Sequence, residues 1–101
     1  METHPQVTVG AGEEQVLVPH SSYVYSRVSS IGIFAIRDTS SDVICLFVAN
    51  NDRVDLLSAY YNITTKTKDT PNSVNIYMDN GAVMVQNLTS ISRTFLIHRY
   101  V

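Results

Sequence analysis

Asn80-Gly81, set between two runs that alternate apolar and polar residues, is the feature that most narrows the folds open to this chain. Asn-Gly is the preferred pair for a two-residue type I′ hairpin, because both central residues must take positive φ. A two-residue loop at this point sets Asp79 opposite Ala82, Met78 opposite Val83, and Ile76 opposite Val85. Opposed residues share a face, so Val74, Ile76, Met78, Val83 and Val85 form one apolar face. Asn75, Tyr77, Met84 and Gln86 form the other. Slipping the register by one residue would turn the apolar set outward. The pattern predicts a hairpin over residues 73–88.

The rest of the chain repeats this style. Short runs are punctuated by turn chemistry every eight to twelve residues: 15–19, 23–28, 31–37, 43–49, 54–57 and, last, 93–100. The run Val43–Ala49 is continuously apolar, as in a strand buried on both faces or central in a sandwich. Asp38–Asp42 and Asn50-Asn51-Asp52 read as turns. Residues 61–73 are polar, Thr-rich and contain Pro71, and read as the longest loop or an edge segment. Composition agrees, since 30 of the 101 residues are Val, Ile or Thr, against 6 Leu, 3 Glu and 2 Lys. That mixture suits a pleated surface and argues against a helical bundle. The fold predicted is all-β: an antiparallel β-sandwich or jelly roll of about eight short strands.

Residues 15–101 form that domain, and residues 1–14 are set apart from it. Gly10, Ala11, Gly12, Glu13 and Glu14 make a flexible acidic stretch, with Val7 and Val9 alternating only briefly before it. The expectation is a flexible N-terminal arm, held by a neighbouring subunit more readily than by its own domain.

Several classes of function fall away. The net charge of −2 and the scattered basic residues give no footprint for phosphate backbones, so no nucleic-acid partner is expected. The longest mostly apolar stretch, Ile31–Ile36, is far too short for a helical membrane span, and residues 1–20 lack the features of a secretion signal. The single cysteine, Cys45, lies between Ile44 and Leu46 and reads as a small core hydrophobe.

No catalytic, cofactor-binding or metal-ligating residue is assigned. His4, His20 and His98 have no ligand spacing to one another, to Cys45 or to a carboxylate. Asp38 and Asp42 bracket a loop too short to supply the six or more oxygens of a calcium site. No phosphate loop, nucleophile elbow or paired-histidine helix occurs, so the chain reads as non-enzymatic and without cofactor. Asn62-Ile-Thr64 and Asn87-Leu-Thr89 match the glycosylation triplet, a pattern expected by chance in a chain this rich in Asn and Thr. Six tyrosines remain: Tyr23 and Tyr25 on one strand face, the adjacent Tyr60 and Tyr61, Tyr77 and Tyr100. They read first as half-buried sandwich residues, and second as stacking surfaces for sugars or partners.

The segments Asp69-Thr-Pro-Asn-Ser-Val-Asn-Ile-Tyr and Asn80-Gly-Ala-Val-Met-Val-Gln-Asn-Leu-Thr resemble the small β-sandwich domains of tailed-bacteriophage virion proteins, such as capsid decorations and fibre ends. The likeness runs from Ile31 to Tyr100. It implies a structural virion protein, assembled in the host cytoplasm, that binds other capsid or tail subunits. With no shaft or second domain in 101 residues, a capsid decoration or accessory head or tail subunit is expected over a long tail fibre. The alternative is a carbohydrate- or cell-surface-binding module of the fibre-tip kind. A homo-oligomer is also expected, because the runs at 31–36 and 43–48 carry apolar side chains on both faces. The phage resemblance makes that oligomer a trimer.

Overall fold

The computed structural model describes residues 2–18, 32–39, 44–50, 53–59 and 64–99. Nine strands occur among them: β1 (Glu2–Val9), β2 (Glu13–Val18), β3 (Gly32–Asp38), β4 (Ile44–Asn50), β5 (Arg53–Ala59), β6 (Thr64–Thr65), β7 (Val74–Asp79), β8 (Ala82–Asn87) and β9 (Arg93–Arg99). They form a five-stranded sheet in the order β1-β9-β3-β4-β5 and a four-stranded sheet in the order β2-β8-β7-β6. The two pack as a sandwich. The expected strand at 23–28 lies outside the described residues, as do Asn51, Asp52 and the expected turn at 40–42.

The hairpin follows the register that alternation demands. Ile76 pairs with Val85, Met78 with Val83 and Asp79 with Ala82. Asn80 and Gly81 take φ of 50° and 80°. Both are positive, as a type I′ turn requires. The core lies between the sheets. Val74, Ile76, Val83 and Val85 from the small sheet meet Phe34, Ile36, Cys45, Phe47, Phe95 and Ile97 from the large one. Phe34 and Phe47 face each other across β3 and β4, with ring centroids 5.3 Å apart and planes 16° apart. The Cys45 thiol is buried, and loss of hydration pushes its pKa up to about 12.

β4 is an interior strand, paired with β3 on one side and the edge strand β5 on the other. Cys45, Phe47 and Ala49 point into the core, and Leu46 and Val48 lie half-buried on the outer face. Both faces of this strand are thus apolar, as its unbroken run implies.

One expectation is corrected. The expected arm over 1–14 is, from residue 2 on, part of the domain: β1 is hydrogen-bonded to β9 of the same chain, and Val9 is completely buried. The reason is the Gly10–Gly12 segment, which is a corner between sheets. Gly12 has φ 80° and donates its N–H to the Asn87 carbonyl at 2.7 Å. The Glu13 N–H donates to the Gly10 carbonyl, while the Glu13 carboxylate accepts the Gly10 N–H at 2.9 Å. The expected all-β sandwich is observed, and one of its pairings is parallel: β6 runs with β7 over Thr64↔Val74 and Thr65↔Asn75. Residues 66–73 carry the chain back to the start of β7, so those two residues travel in its direction.

Candidate functional site

β6 covers only the first two residues of β7, which continues to Asp79. Beyond Asn75 the chain leaves the ladder at Lys66, and a cleft of about 470 Å³ opens between β5 and the later half of β7. Pockets that hold small ligands fall in the range of about 300–1,000 Å³. Val54 and Met78 supply apolar wall, and Thr67 and Tyr77 supply polar edges.

The charged rim comes from alternation on a strand. Arg53 and Asp55 are two residues apart on β5 and so point the same way. Arg53 donates to Asp55 through Nε at 2.6 Å, and its Nη2 lies 2.5 Å from the same oxygen. Lys66 Nζ donates to the other carboxylate oxygen at 3.2 Å. These two cations hold the Asp55 carboxyl below its ordinary pKa, chiefly through the hydrogen bond from Arg53. One carboxylate therefore faces two cations.

The loop between β6 and β7 folds over the outer face of the small sheet and is held by polar groups. The Asp69 N–H donates to Gln86 Oε1 at 2.8 Å, and Gln86 Nε2 returns a bond of 2.8 Å to the Asp69 carboxylate. Asn75 Nδ2 donates to the Thr70 carbonyl at 3.0 Å and to Gln86 Oε1 at 2.9 Å. Thr65 Oγ1 donates to Asn75 Oδ1 at 2.5 Å. Asp69 and Asn72 take φ of 66° and 58°. Short polar side chains tolerate this left-handed geometry. Burying Asn75 and Gln86 is thus matched by bonds to both amides.

Tyr77 joins the loop to the sheet. Its hydroxyl donates to the Glu14 carboxylate, and Lys68 Nζ stands 5.6 Å from its ring centroid. Burial and the Glu14 carboxylate both raise the phenol pKa above its ordinary 10.0. At 8% exposure, Tyr77 offers no open ring face on which a sugar could stack. The other five tyrosines lie outside the described residues.

A second polar cluster closes the far end of the sandwich. Asn87, fully buried, donates to the carbonyls of Val9 at 2.9 Å and Ile91 at 2.8 Å, and accepts from Thr89 N–H and Oγ1. This glycosylation triplet is structural, since its amide is already engaged. The other triplet begins at Asn62, outside the described residues.

Among the described residues, no group of three or more His, Cys, Asp or Glu side chains stands together to hold a metal. His98 lies half-buried on β9 opposite Ala35, the His4 backbone pairs with Ile97 in β1, and His20 lies outside the described residues. The Arg53–Asp55–Lys66 trio escaped sequence reasoning. Arg53 and Asp55 show the two-residue spacing of a strand face, but nothing in residues 61–73 signals that Lys66 would reach them. No helix among the described residues is long and apolar enough to cross a membrane. No protein-family model, curated protein or solved structure matches the chain.

Proposed function

We propose that this chain is a non-enzymatic structural subunit of a tailed-phage-type virion, a capsid decoration or accessory head or tail protein, which works by binding other particle subunits. The observation that carries the reading is the apolar surface left outside the core. On the outer face of the large sheet, Ile33 pairs with Val48, Ala35 with Leu46 and Arg37 with Leu96, and the apolar members other than buried Ala35 are only half-buried. Leu57 on edge strand β5 and Val16 on edge strand β2 are 59% and 45% exposed. Apolar residues on strand edges invite pairing with another chain unless a partner covers them. Low charge and a surface rich in Ser, Thr and Asn fit packing against neighbours in a shell.

The same surface supports a closed homo-oligomer, with a trimer as the form proposed, located in the virion after assembly in the host cytoplasm. Tyr77 lends no support to sugar stacking, so the assembly reading is preferred to a carbohydrate-binding module. The test is to purify particles from cells expressing the gene and quantify the chain by mass spectrometry. A fixed copy number per particle supports the proposal, and absence from the particles overturns it. Light scattering of the purified chain tests the oligomer, and a mass of 11.3 kDa at micromolar concentration would overturn that part.

A further inference from the structure

We propose that Asn80 is a site of spontaneous covalent modification, whose carboxamide is lost as ammonia through a cyclic imide closed by the Gly81 nitrogen. The inference stands on the hairpin and does not depend on the assembly reading.

The first observation is which residue types meet at an exposed turn. Asn80 is exposed and is followed by Gly81, and no other asparagine of the chain precedes a glycine. Asparagine is one of the chemically labile side chains. Its side-chain carbonyl carbon lies one ring closure away from the next main-chain nitrogen, and a Cβ on the following residue crowds that approach. Glycine carries none. The other described asparagines are placed differently. Asn75 and Asn87 are fully buried, and their amides donate to the Thr70 and Val9 carbonyls. Asn50 accepts the Arg53 N–H on its side-chain oxygen at 3.0 Å, and Asn72 is followed by Ser73, which has a Cβ.

The steps balance with water as co-reactant. The Gly81 nitrogen gives its proton to solvent and attacks Asn80 Cγ, and the Cγ–Nδ2 bond breaks as ammonia leaves with a proton. Water then opens the five-membered imide. Opening at Cγ leaves ordinary aspartate. Opening at the main-chain carbonyl carbon leaves isoaspartate, in which the chain runs through the former side chain.

The second observation is what this turn controls. Its two residues fix Met78 opposite Val83 and Ile76 opposite Val85, and Ile76, Val83 and Val85 are fully buried. Isoaspartate adds a methylene to the main chain inside that loop, a length the hairpin geometry does not accommodate. Ordinary aspartate keeps the main chain and adds a carboxylate beside exposed Asp79. The fold also sets the pace. β7 and β8 are paired up to the turn, so the rotation that brings nitrogen to carbon requires the turn to open locally.

The test holds the full chain in neutral buffer at body temperature for weeks, with peptide mapping by mass spectrometry at intervals. Conversion is expected at residue 80 ahead of every other asparagine, with isoaspartate exceeding aspartate and the rate rising with pH. In urea the same conversion should run roughly tenfold faster or more, because the turn no longer restrains it. Gly81→Ala should slow the reaction in urea, where folding plays no part. Asn80→Gly should keep its thermal midpoint on ageing, while the isoaspartyl fraction of the parent chain melts lower than the unmodified fraction. Earlier conversion of another asparagine in buffer, aspartate without isoaspartate, or a rate indifferent to urea or to Gly81→Ala overturns the proposal. An isoaspartyl fraction that melts with the unmodified chain overturns the part given to the turn.

Discussion

Arg93 Nη1 lies 2.6 Å from Asp38 Oδ2, and the two side chains are only 10% and 3% exposed. The pair joins the end of β3 to the start of β9, and Arg93 Nε also donates to Thr89 Oγ1 at 2.9 Å. Taking either partner away leaves the other charge buried. Asp38→Ala or Arg93→Ala should each destabilise the fold by about 3–5 kcal/mol. Urea unfolding of the single and double variants checks this. The double variant should cost less than the two singles added, because no charge is then left behind.

Asn87 should resist glycosylation even when the chain is routed through a secretory pathway that modifies such triplets. Its amide already holds the carbonyls of Val9 and Ile91. Intact-protein mass, followed by peptide mapping, should find residue 87 unmodified in the folded chain. Asn87→Ala leaves those groups without a partner and should destabilise by about 1–3 kcal/mol or more.

The Asn80-Gly81 turn should respond to Gly81 far more than to its neighbour. Gly81 sits at φ 80°, in the left-handed region. A side chain is strained there, so Gly81→Val should cost at least about 1–2 kcal/mol in a thermal melt. Asn80 sits at φ 50°. Glycine accepts that angle without strain, so Asn80→Gly should be close to neutral in the same melt.

Tyr77 sets an alkaline limit on stability. Its native pKa lies above the ordinary 10.0, so the folded state holds the phenolic proton more tightly than the unfolded chain does. The stabilisation is fully present below pH 10 and is lost as pH rises through the raised native value. Tyr77→Phe should therefore lose less stability than the parent between pH 9 and 11, measured by urea midpoints. Asp55 behaves in the opposite sense. Its pKa is depressed, so its contribution is present above the unfolded value and is lost as acid reaches the lower native value. Carboxyl NMR titration should put the Asp55 midpoint below 3.8.

Cys45 should react with a thiol reagent only as fast as the protein opens. The thiolate is the reacting species, and with a pKa of about 12 it is scarce at neutral pH. Reaction with a disulfide reagent should be slow in buffer and complete within minutes in urea.

Alternation and turn chemistry carry most of the fold. Ile76, Met78, Val83 and Val85 face the core because a two-residue turn leaves no other register, and Phe95 and Ile97 follow the same rule on β9. The Gly10–Gly12 corner was illegible because glycine pairs mark hinges and tight corners alike. Only the long-range bond to Asn87 distinguishes the two. The burial of Asn75 and Gln86 was equally hidden. Their strand face reads as solvent-facing, and a polar loop covers it through bonds such as Asp69 to Gln86, 17 positions apart. The charged rim of the cleft brings Lys66 to Asp55, a contact between elements that shares no local pattern.

The pairing of β1 with β9 sets the timing of folding during synthesis. Of the described strands, the first made has the last as its neighbour, with Glu2 opposite Arg99 and Val9 opposite Arg93. A chain still emerging from the ribosome has β1 made but its partner unmade, so the large sheet closes only once β9 has emerged. Such non-local pairing makes all-β domains slow folders, on the order of milliseconds to seconds. Until that moment β1 carries Val7 and Val9 in the open, exposed to any other nascent copy nearby.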